Sequence, residues 1–242
     1  MYRALTQHPA VLKAVLHKGV HYFDMNYDRG LGWYRAHFPL RSSGRRAAVA
    51  AGDQSLTFES SPYYMFHPYA GERIARDLPG VKLLVLVRDP VERAYSAYAH
   101  ELARGYETES FERALTLEPD RLLGEAERMA RDPDYLSHAH QHQAYLARGR
   151  YCEQLERLER IFGAERIHVV DSGDFFTKPE PEYDAVLDFL ALRSHSYPEF
   201  ERHNARPRAD MSPALRAELT GYFEPYDQQL TRWLGKIPSW RR

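Results

Sequence analysis

Cysteine is nearly absent from this sequence, because Cys152 is the only one among 242 residues. A single cysteine excludes an internal disulfide and a cysteine-rich zinc site, and it favours a reducing compartment. No apolar run approaches the roughly 20 residues that a membrane-spanning helix needs. Residues 1–15 also lack the unbroken apolar stretch of a signal peptide. We therefore expect a cytoplasmic protein.

An excess of either charge is absent as well, since 33 basic residues stand against 34 acidic ones. This balance provides no general attraction to nucleic acid or to an acidic membrane surface, so any anion site must be local. Hydrophobic residues make up 43% of the chain, enough for a sizeable buried core. No linker, internal repeat or low-complexity tract divides the chain, and we predict one domain over residues 1–242.

Short continuous apolar runs indicate an α/β fold. Lys82–Val87 reads KLLVLV, the pattern of a strand buried on both faces, and Arg166–Asp171 is a second strand candidate. Ala47–Ala51 is a weaker one. Helical patterns flank the two stronger strands, at Gly71–Leu78, Arg150–Phe162 and Pro181–Leu192. This alternation of helix and strand predicts a parallel sheet covered by helices.

The last part of the chain carries a long helical pattern. It begins at Ser212-Pro213 and runs to Leu234, where Gly235 provides a stop signal. Pro225 lies inside the pattern and is expected to kink or break the helix.

Arg88 directly follows the first predicted strand, and Asp89-Pro90 are suited to begin the next helix. Ser96 lies about two helical turns further along. In open α/β sheets, ligands bind beyond the carboxyl ends of the strands, where helix N-termini offer N–H groups to anions. Arg88 and Ser96 therefore form a candidate phosphate site. The alternative is that Arg88 pairs with Asp89 or Glu92 and that Ser96 faces solvent.

The run RDPVERAYSAY at residues 88–98 resembles the 3'-phosphate-binding segment of sulfotransferases that use 3'-phosphoadenosine 5'-phosphosulfate (PAPS), especially the heparan-sulfate and bacterial carbohydrate branch. Similar segments follow the family's order over nearly the whole chain: FESSPYYMFHP at 58–68, ARGRYCEQLERLERIFG at 147–163 and DAVLDFLAL at 184–192. The resemblance implies a P-loop-NTPase-like, three-layer α/β fold with a central parallel sheet. It also implies transfer of a sulfuryl group from PAPS, without a metal, to a hydroxyl or amine of a carbohydrate or small molecule.

The resemblance also implies which residues hold the donor. Arg88 and Ser96 match the residues that bind the 3'-phosphate, and Tyr151 matches the tyrosine of the family's G-x-Y helix. Arg206 and Arg208, in HNARPRADM at 203–211, match the position of the basic loop that folds over the donor. The alternative for these two arginines is an ordinary capping loop in which both are solvated.

The segment KGVHYFD, from Lys18 to Asp24, resembles the family's K-E-x-H-F/Y-F-D, whose Glu is the usual candidate base. Gly19 occupies that place and has no side chain to accept a proton. The remaining base candidates are His21, with Asp24 nearby, and His100 on the helix after the first strand, because imidazole titrates near neutrality. Lys18 completes the set of catalytic candidates. Most of the 12 histidines are expected to be inert surface residues.

Two other groups of residues could face the acceptor. His138, His140 and His142 alternate, but on a helix only the first and last share a face, so we favour a solvated or acceptor-facing helix over a metal site. Aromatic residues could stack on a sugar or simply pack in the core, namely Tyr22, Trp33, Tyr34, Tyr63 and Tyr64.

Family members open with a strand and a P-K-x-G-T-T-x-L loop that holds the 5'-phosphosulfate. Residues 1–9 match the family sequence just after that loop. We therefore interpret the sequence as N-terminally truncated, with the first strand and the loop missing. A non-catalytic relative that binds a nucleotide or a partner is the alternative. A nucleotide kinase is disfavoured, because G-x-x-x-x-G-K-S/T is absent and RDPVERAYS is present.

Overall fold

The structure, a computed structural model, describes residues 1–200 and 211–242. The strands are β1 (Val11–Lys13), β2 (Leu56–Phe58), β3 (Leu83–Val87) and β4 (Ile167–Asp171). The helices are α1 (Tyr2–Leu5), α2 (Tyr22–Met25), α3 (Gly30–Arg35), α4 (Arg41–Ala51), α5 (Ala70–Asp77), α6 (Pro90–Ala103), α7 (Phe111–Leu122), α8 (Glu125–Arg131), α9 (His138–His142), α10 (Tyr151–Phe162), α11 (Ser172–Thr177), α12 (Pro179–Leu190) and α13 (Pro213–Leu234). Both of the stronger strand predictions agree with the structure to within one residue.

The strands pair in parallel, β1 with β2 and β3 with β4. In the second pair Val85 lies opposite Val169, and Val87 lies opposite Asp171. The predicted α/β class and parallel pairing are confirmed. The four strands form two separate pairs, which share one hydrophobic core.

The β3–β4 pair has helices on both faces because its side chains alternate. Val85 and Val169 pack with Leu155 of α10 and Leu230 of α13. On the opposite face Leu84 and Val170 belong to the core cluster that contains Val186 and Leu187 of α12. The middle of the fold therefore has three layers, as the continuous apolar strands predict.

The weaker strand prediction, Ala47–Ala51, was wrong, because these residues form the end of α4. Arginine and alanine favour a helix over this stretch, and Gly52 ends it in the left-handed conformation, with a φ of 60°. The neighbouring strand comes later, at Leu56–Phe58.

Pro225 does not break the last helix, since α13 continues through it to Leu234; a kink at this position stays a prediction. Tertiary packing supplies the reason: Leu219 and Phe223 before the proline and Leu230 after it are all buried. Their burial outweighs the single backbone hydrogen bond that proline removes. No helix in the described part of the chain is long and apolar enough to cross a membrane.

Candidate active site

His21 and Asp24 form a hydrogen-bonded pair at the start of α2. Nδ1 of His21 lies 2.8 Å from Oδ2 of Asp24. The Asp24 side chain is fully enclosed, whereas 39% of the His21 side chain is exposed. A carboxylate at Nδ1 favours the imidazole tautomer in which Nε2 accepts a proton. The pair is therefore suited to act as a general base on a bound hydroxyl.

The backbone of His21 adopts a left-handed conformation, with a φ of 52°. This conformation is uncommon outside glycine, so the surroundings must stabilise it. The His21 N–H donates to Oγ of Ser61 over 3.1 Å, and its carbonyl accepts from Nδ2 of Asn26 over 2.7 Å. Both polar backbone groups are thus held by side chains.

The pKa of His21 is raised above its ordinary value. The hydrogen bond to Asp24 is the largest cause, partial burial opposes it, and the negative charges of Asp24 and Glu59 add to the increase. A higher pKa makes the imidazole a stronger base once it has lost its proton.

Gly19 is explained by a close approach of two chain segments. A Cβ at this position would lie 2.7 Å from the carbonyl oxygen of Ser60 and 3.3 Å from Nε2 of His21. The Ser60 N–H also donates to the carbonyl of Lys18 over 2.9 Å, which fixes the two segments side by side. No side chain fits there without a backbone shift, so the family's usual carboxylate is excluded from this position.

Lys18 and His100, the other predicted catalytic residues, lie apart from this pair. Nζ of Lys18 lies 4.9 Å from the centre of the Tyr2 ring. His100 is exposed, with Nε2 at 3.5 Å from Nη1 of Arg104. No contact between either residue and His21 is found among the described residues, so a direct catalytic role for them stays a prediction.

Helix α9 connects the regions around His21 and His100. Gln141 donates to Sδ of Met25, at the end of α2, over 3.2 Å. Nδ1 of His142 lies 3.0 Å from Oε2 of Glu101, the residue after His100. The rings of His138 and His142 are 5.0 Å apart, which confirms that they share a helix face.

Arg88 lies at the carboxyl end of β3 with its side chain exposed. Its carbonyl accepts a hydrogen bond of 3.0 Å from the Tyr151 hydroxyl, which brings these two predicted donor-binding residues together. Ser96 lies half-buried on α6. Arg206 and Arg208 lie outside the described residues.

The first amides of α6 are not all open to an anion. Oδ1 of Asp89 accepts from the N–H groups of Val91 and Glu92, at 2.9 and 3.4 Å. Asp89, the predicted cap of this helix, therefore occupies two of the N–H groups at the helix start, and a phosphate contact there stays a prediction.

Two further arginines, which sequence reasoning missed, concentrate positive charge near Arg88. The pKa of Arg93 is lowered to about 10, chiefly by burial; the charges of Arg148 and Arg88 also lower it, whereas Tyr151 raises it. Arg93 remains a cation at neutral pH. The guanidinium of Arg148 lies over the Tyr63 ring, 5.1 Å from its centre. Arg88 and Arg93 act electrostatically on Tyr151, and Arg148 acts on Arg93, so this cluster of arginines fits a phosphate-bearing donor.

The aromatic candidates for sugar stacking are mostly core residues. Tyr22, Tyr34 and Tyr63 are at most 6% exposed. The hydroxyl of Tyr63 is hydrogen-bonded to Nδ1 of buried His140 over 2.7 Å. Tyr64 is half-buried, and its hydroxyl contacts the backbone of α2. The packing interpretation therefore holds for the three buried tyrosines.

The chain is similar to known sulfotransferases in both sequence and fold. The family model described as "Sulfotransferase domain" matches residues 1–204. Human heparan sulfate glucosamine 3-O-sulfotransferase 5 is 28% identical over 264 residues, covering 98% of this chain and 68% of that protein. Membrane-associated sulfotransferase kil1 of Dictyostelium discoideum is 25% identical, covering 93% of this chain and 60% of that protein. A sulfotransferase structure from Alicyclobacillus acidocaldarius superimposes with a TM-score of 0.68 at 27% identity, covering 99% of this chain and 92% of that one.

Proposed function

The chain belongs to the sulfotransferase domain family, and from that premise we propose that it transfers the sulfuryl group of PAPS to a hydroxyl or amine of a carbohydrate. The observation that carries this proposal is the family match over residues 1–204. That range contains every described candidate residue, including His21, Asp24, Arg88 and Tyr151.

His21 is the proposed general base. As the acceptor oxygen attacks sulfur, Nε2 of His21 takes its proton, and the bond from sulfur to the donor's phosphate oxygen breaks. Asp24 stabilises the imidazolium that results, because its enclosed carboxylate contacts Nδ1. The imidazole is accessible to an acceptor, because 39% of the His21 side chain is exposed.

The donor's 3'-phosphate is assigned to Arg88 and Ser96, with Tyr151 holding the Arg88 backbone. Arg93 and Arg148 add positive charge behind them. Arg206 and Arg208 remain predicted donor contacts. An arginine at the carboxyl end of a strand suits this task, because a guanidinium can bind a phosphate through two parallel hydrogen bonds.

An acidic saccharide is the proposed acceptor class. Residues 29–52 contain no acidic side chain and carry Arg29, Arg35, Arg41, Arg45 and Arg46. The three arginines on α4 are exposed. The heparan sulfate sulfotransferases among the relatives act, by their names, on the glucosamine of such a polymer.

Donor binding tests the proposal directly. We expect the desulfated donor, 3'-phosphoadenosine 5'-phosphate, to bind the wild-type chain in isothermal titration calorimetry. Arg88→Ala should weaken binding about 10- to 100-fold, the loss expected for charge-assisted hydrogen bonds. Arg160→Ala, which removes an exposed arginine of α10, is the matched control and should bind normally. Undiminished binding in Arg88→Ala would overturn the assignment.

A further inference from the structure

We propose that Glu59 is a positioning residue of this site, which fixes the backbone that carries His21 and places a second negative charge beside its imidazole. The proposal rests on the proposed function for its catalytic part. Glu59 directly follows β2, so the rigid end of a strand holds its backbone.

The Glu59 carboxylate accepts hydrogen bonds from one backbone amide and from two hydroxyls, and the buried Tyr34 hydroxyl also interacts with it. Oε2 accepts from the Val20 N–H over 2.8 Å and from the Ser61 hydroxyl over 2.6 Å. Oε1 accepts from the Tyr64 hydroxyl over 3.0 Å. These donors come from two segments about 40 residues apart in the chain, which the carboxylate ties together.

The two hydroxyls pass this restraint on to α2. Oγ of Ser61 accepts from the His21 N–H over 3.1 Å, and the Tyr64 hydroxyl accepts from the Tyr22 N–H over 2.8 Å. Each hydroxyl thus donates a hydrogen bond to Glu59 and accepts one from a backbone N–H at the start of α2. Three successive backbone amides, from Val20 to Tyr22, are connected to Glu59 directly or through one hydroxyl.

The polarity of this network requires an acceptor-only group at position 59. An ionised carboxylate accepts at both oxygens, whereas a glutamine amide would present two N–H groups on one side. Glu59→Gln therefore both disturbs the network and removes the charge. Glu59→Asp keeps the charge and shortens the reach.

The charges around His21 favour its protonated form. Asp24 contacts Nδ1, Glu59 adds a second negative charge, and the Tyr64 ring meets the imidazole edge-on with 6.4 Å between ring centres. Asp24 itself is within electrostatic reach of Arg73 and Arg148, which partly neutralise it. Glu59 therefore contributes to the stabilisation of the imidazolium that forms when His21 takes a proton.

Glu59 also stands beside Gly19, the position that has no carboxylate of its own. A Cβ at Gly19 would lie 3.1 Å from Oγ of Ser61, which is the group that Glu59 holds. The Glu59–Ser61 pair therefore lies next to the space that a side chain at position 19 would enter.

The experiment is an NMR titration of the His21 ring in the full chain without donor or acceptor, combined with the pH profile of kcat/KM. In Glu59→Gln we expect the His21 pKa to fall, the acidic limb of the profile to move to lower pH, and kcat to drop about 10-fold or more with the donor KM unchanged. Ser61→Ala should lower kcat without moving the His21 pKa, because it removes the connection but not the charge. Ser61→Thr, which keeps a hydroxyl, should restore kcat.

Glu153→Gln, which neutralises an exposed acid on α10, is the control and should change neither quantity. A folded Glu59→Gln variant with an unmoved His21 pKa and normal kcat contradicts the proposal. If circular dichroism shows that Glu59→Gln does not fold, Glu59→Asp decides: a retained His21 pKa with a reduced kcat supports positioning, and normal kcat overturns it. The NMR titration needs no turnover, so it tests the role of Glu59 even if the chain transfers no sulfuryl group. A failure of the proposed function can therefore be told apart from a failure of this proposal.

Discussion

Nδ1 of His21 and Oδ2 of Asp24 lie 2.8 Å apart, although the two residues are separated by only three positions in the chain. The pair is assembled locally, because His21 precedes α2 and Asp24 lies in the helix's first turn. Asp24 is enclosed and His21 is partly open to solvent. A buried carboxylate behind an accessible imidazole is the arrangement that general base catalysis by histidine uses.

Asp24→Asn should nearly abolish sulfuryl transfer while leaving donor binding intact. The amide can donate to Nδ1, which favours the tautomer with a proton on Nε2, and that tautomer cannot act as the base. We expect kcat to fall about 10²- to 10⁴-fold. Calorimetric titration of 3'-phosphoadenosine 5'-phosphate should give a wild-type affinity; normal kcat in this variant would show that the pair is not the base.

The rate of transfer should fall as the pH is lowered through the pKa of His21. The neutral imidazole is the active form, and its hydrogen bond to Asp24 raises the pKa, so the acidic limb of kcat/KM should lie above the ordinary imidazole value of about 6.5. Stopped assays across pH 5 to 9 measure this limb. His195→Gln, which alters an exposed histidine, should leave it in place. An acidic limb whose pKa differs from the pKa of His21 would contradict the account.

The features that the sequence predicted best are those that depend only on neighbouring residues in the chain. The apolar run before Arg88 and the amphipathic helix around Leu155 identified β3 and α10 because each satisfies its own periodicity. His21 and Asp24 came from one short motif. None of these predictions depends on residues elsewhere in the chain.

Long-range contacts explain what the sequence did not predict. The motif containing Glu59 is recognisable in the sequence, but the role of Glu59 depends on Val20 and the start of α2, about 40 residues away. Pro225 stays inside α13 because of buried neighbours that local propensity does not include. Arg148 was missed because nothing in its local pattern indicates that its guanidinium lies over the Tyr63 ring.

Gly19→Ala should destabilise the fold. The new Cβ would lie 2.7 Å from the Ser60 carbonyl oxygen, which is backbone and must shift to make room. Overpacking of this kind typically costs about 1–3 kcal/mol. Urea unfolding measures the loss, and Gly32→Ala is the matched control, because nothing lies within 4 Å of a Cβ there. An unchanged free energy of unfolding for Gly19→Ala would contradict the close approach.

Glu107→Gln should remove stability at neutral pH. Burial alone would raise the pKa of Glu107, but hydrogen bonds from Arg121, from the Glu109 and Thr108 amides and from Tyr145 lower it to about 2. Breaking a buried ion pair typically costs about 3–5 kcal/mol. Glu153→Gln, at an exposed carboxylate, should cost little.

The same substitution has a defined pH dependence. Because the folded pKa of Glu107 lies below its unfolded value of about 4.3, its contribution is fully present above that value and is lost as the pH falls towards about 2. The free energy difference between wild type and Glu107→Gln should therefore shrink over this window. A difference that stays constant from pH 7 to pH 2 would show that the carboxylate charge is not its source.

Transfer of ³⁵S from labelled PAPS to a heparan-type saccharide, followed in wild type and in His21→Ala, tests the central claim most directly. We predict that label appears in the saccharide as 3'-phosphoadenosine 5'-phosphate is released, and that His21→Ala lowers kcat about 10²- to 10⁴-fold without changing donor affinity. Transfer at the wild-type rate by His21→Ala, or wild-type protein that binds the donor yet transfers no label to saccharides bearing free hydroxyls and amines, would contradict the account.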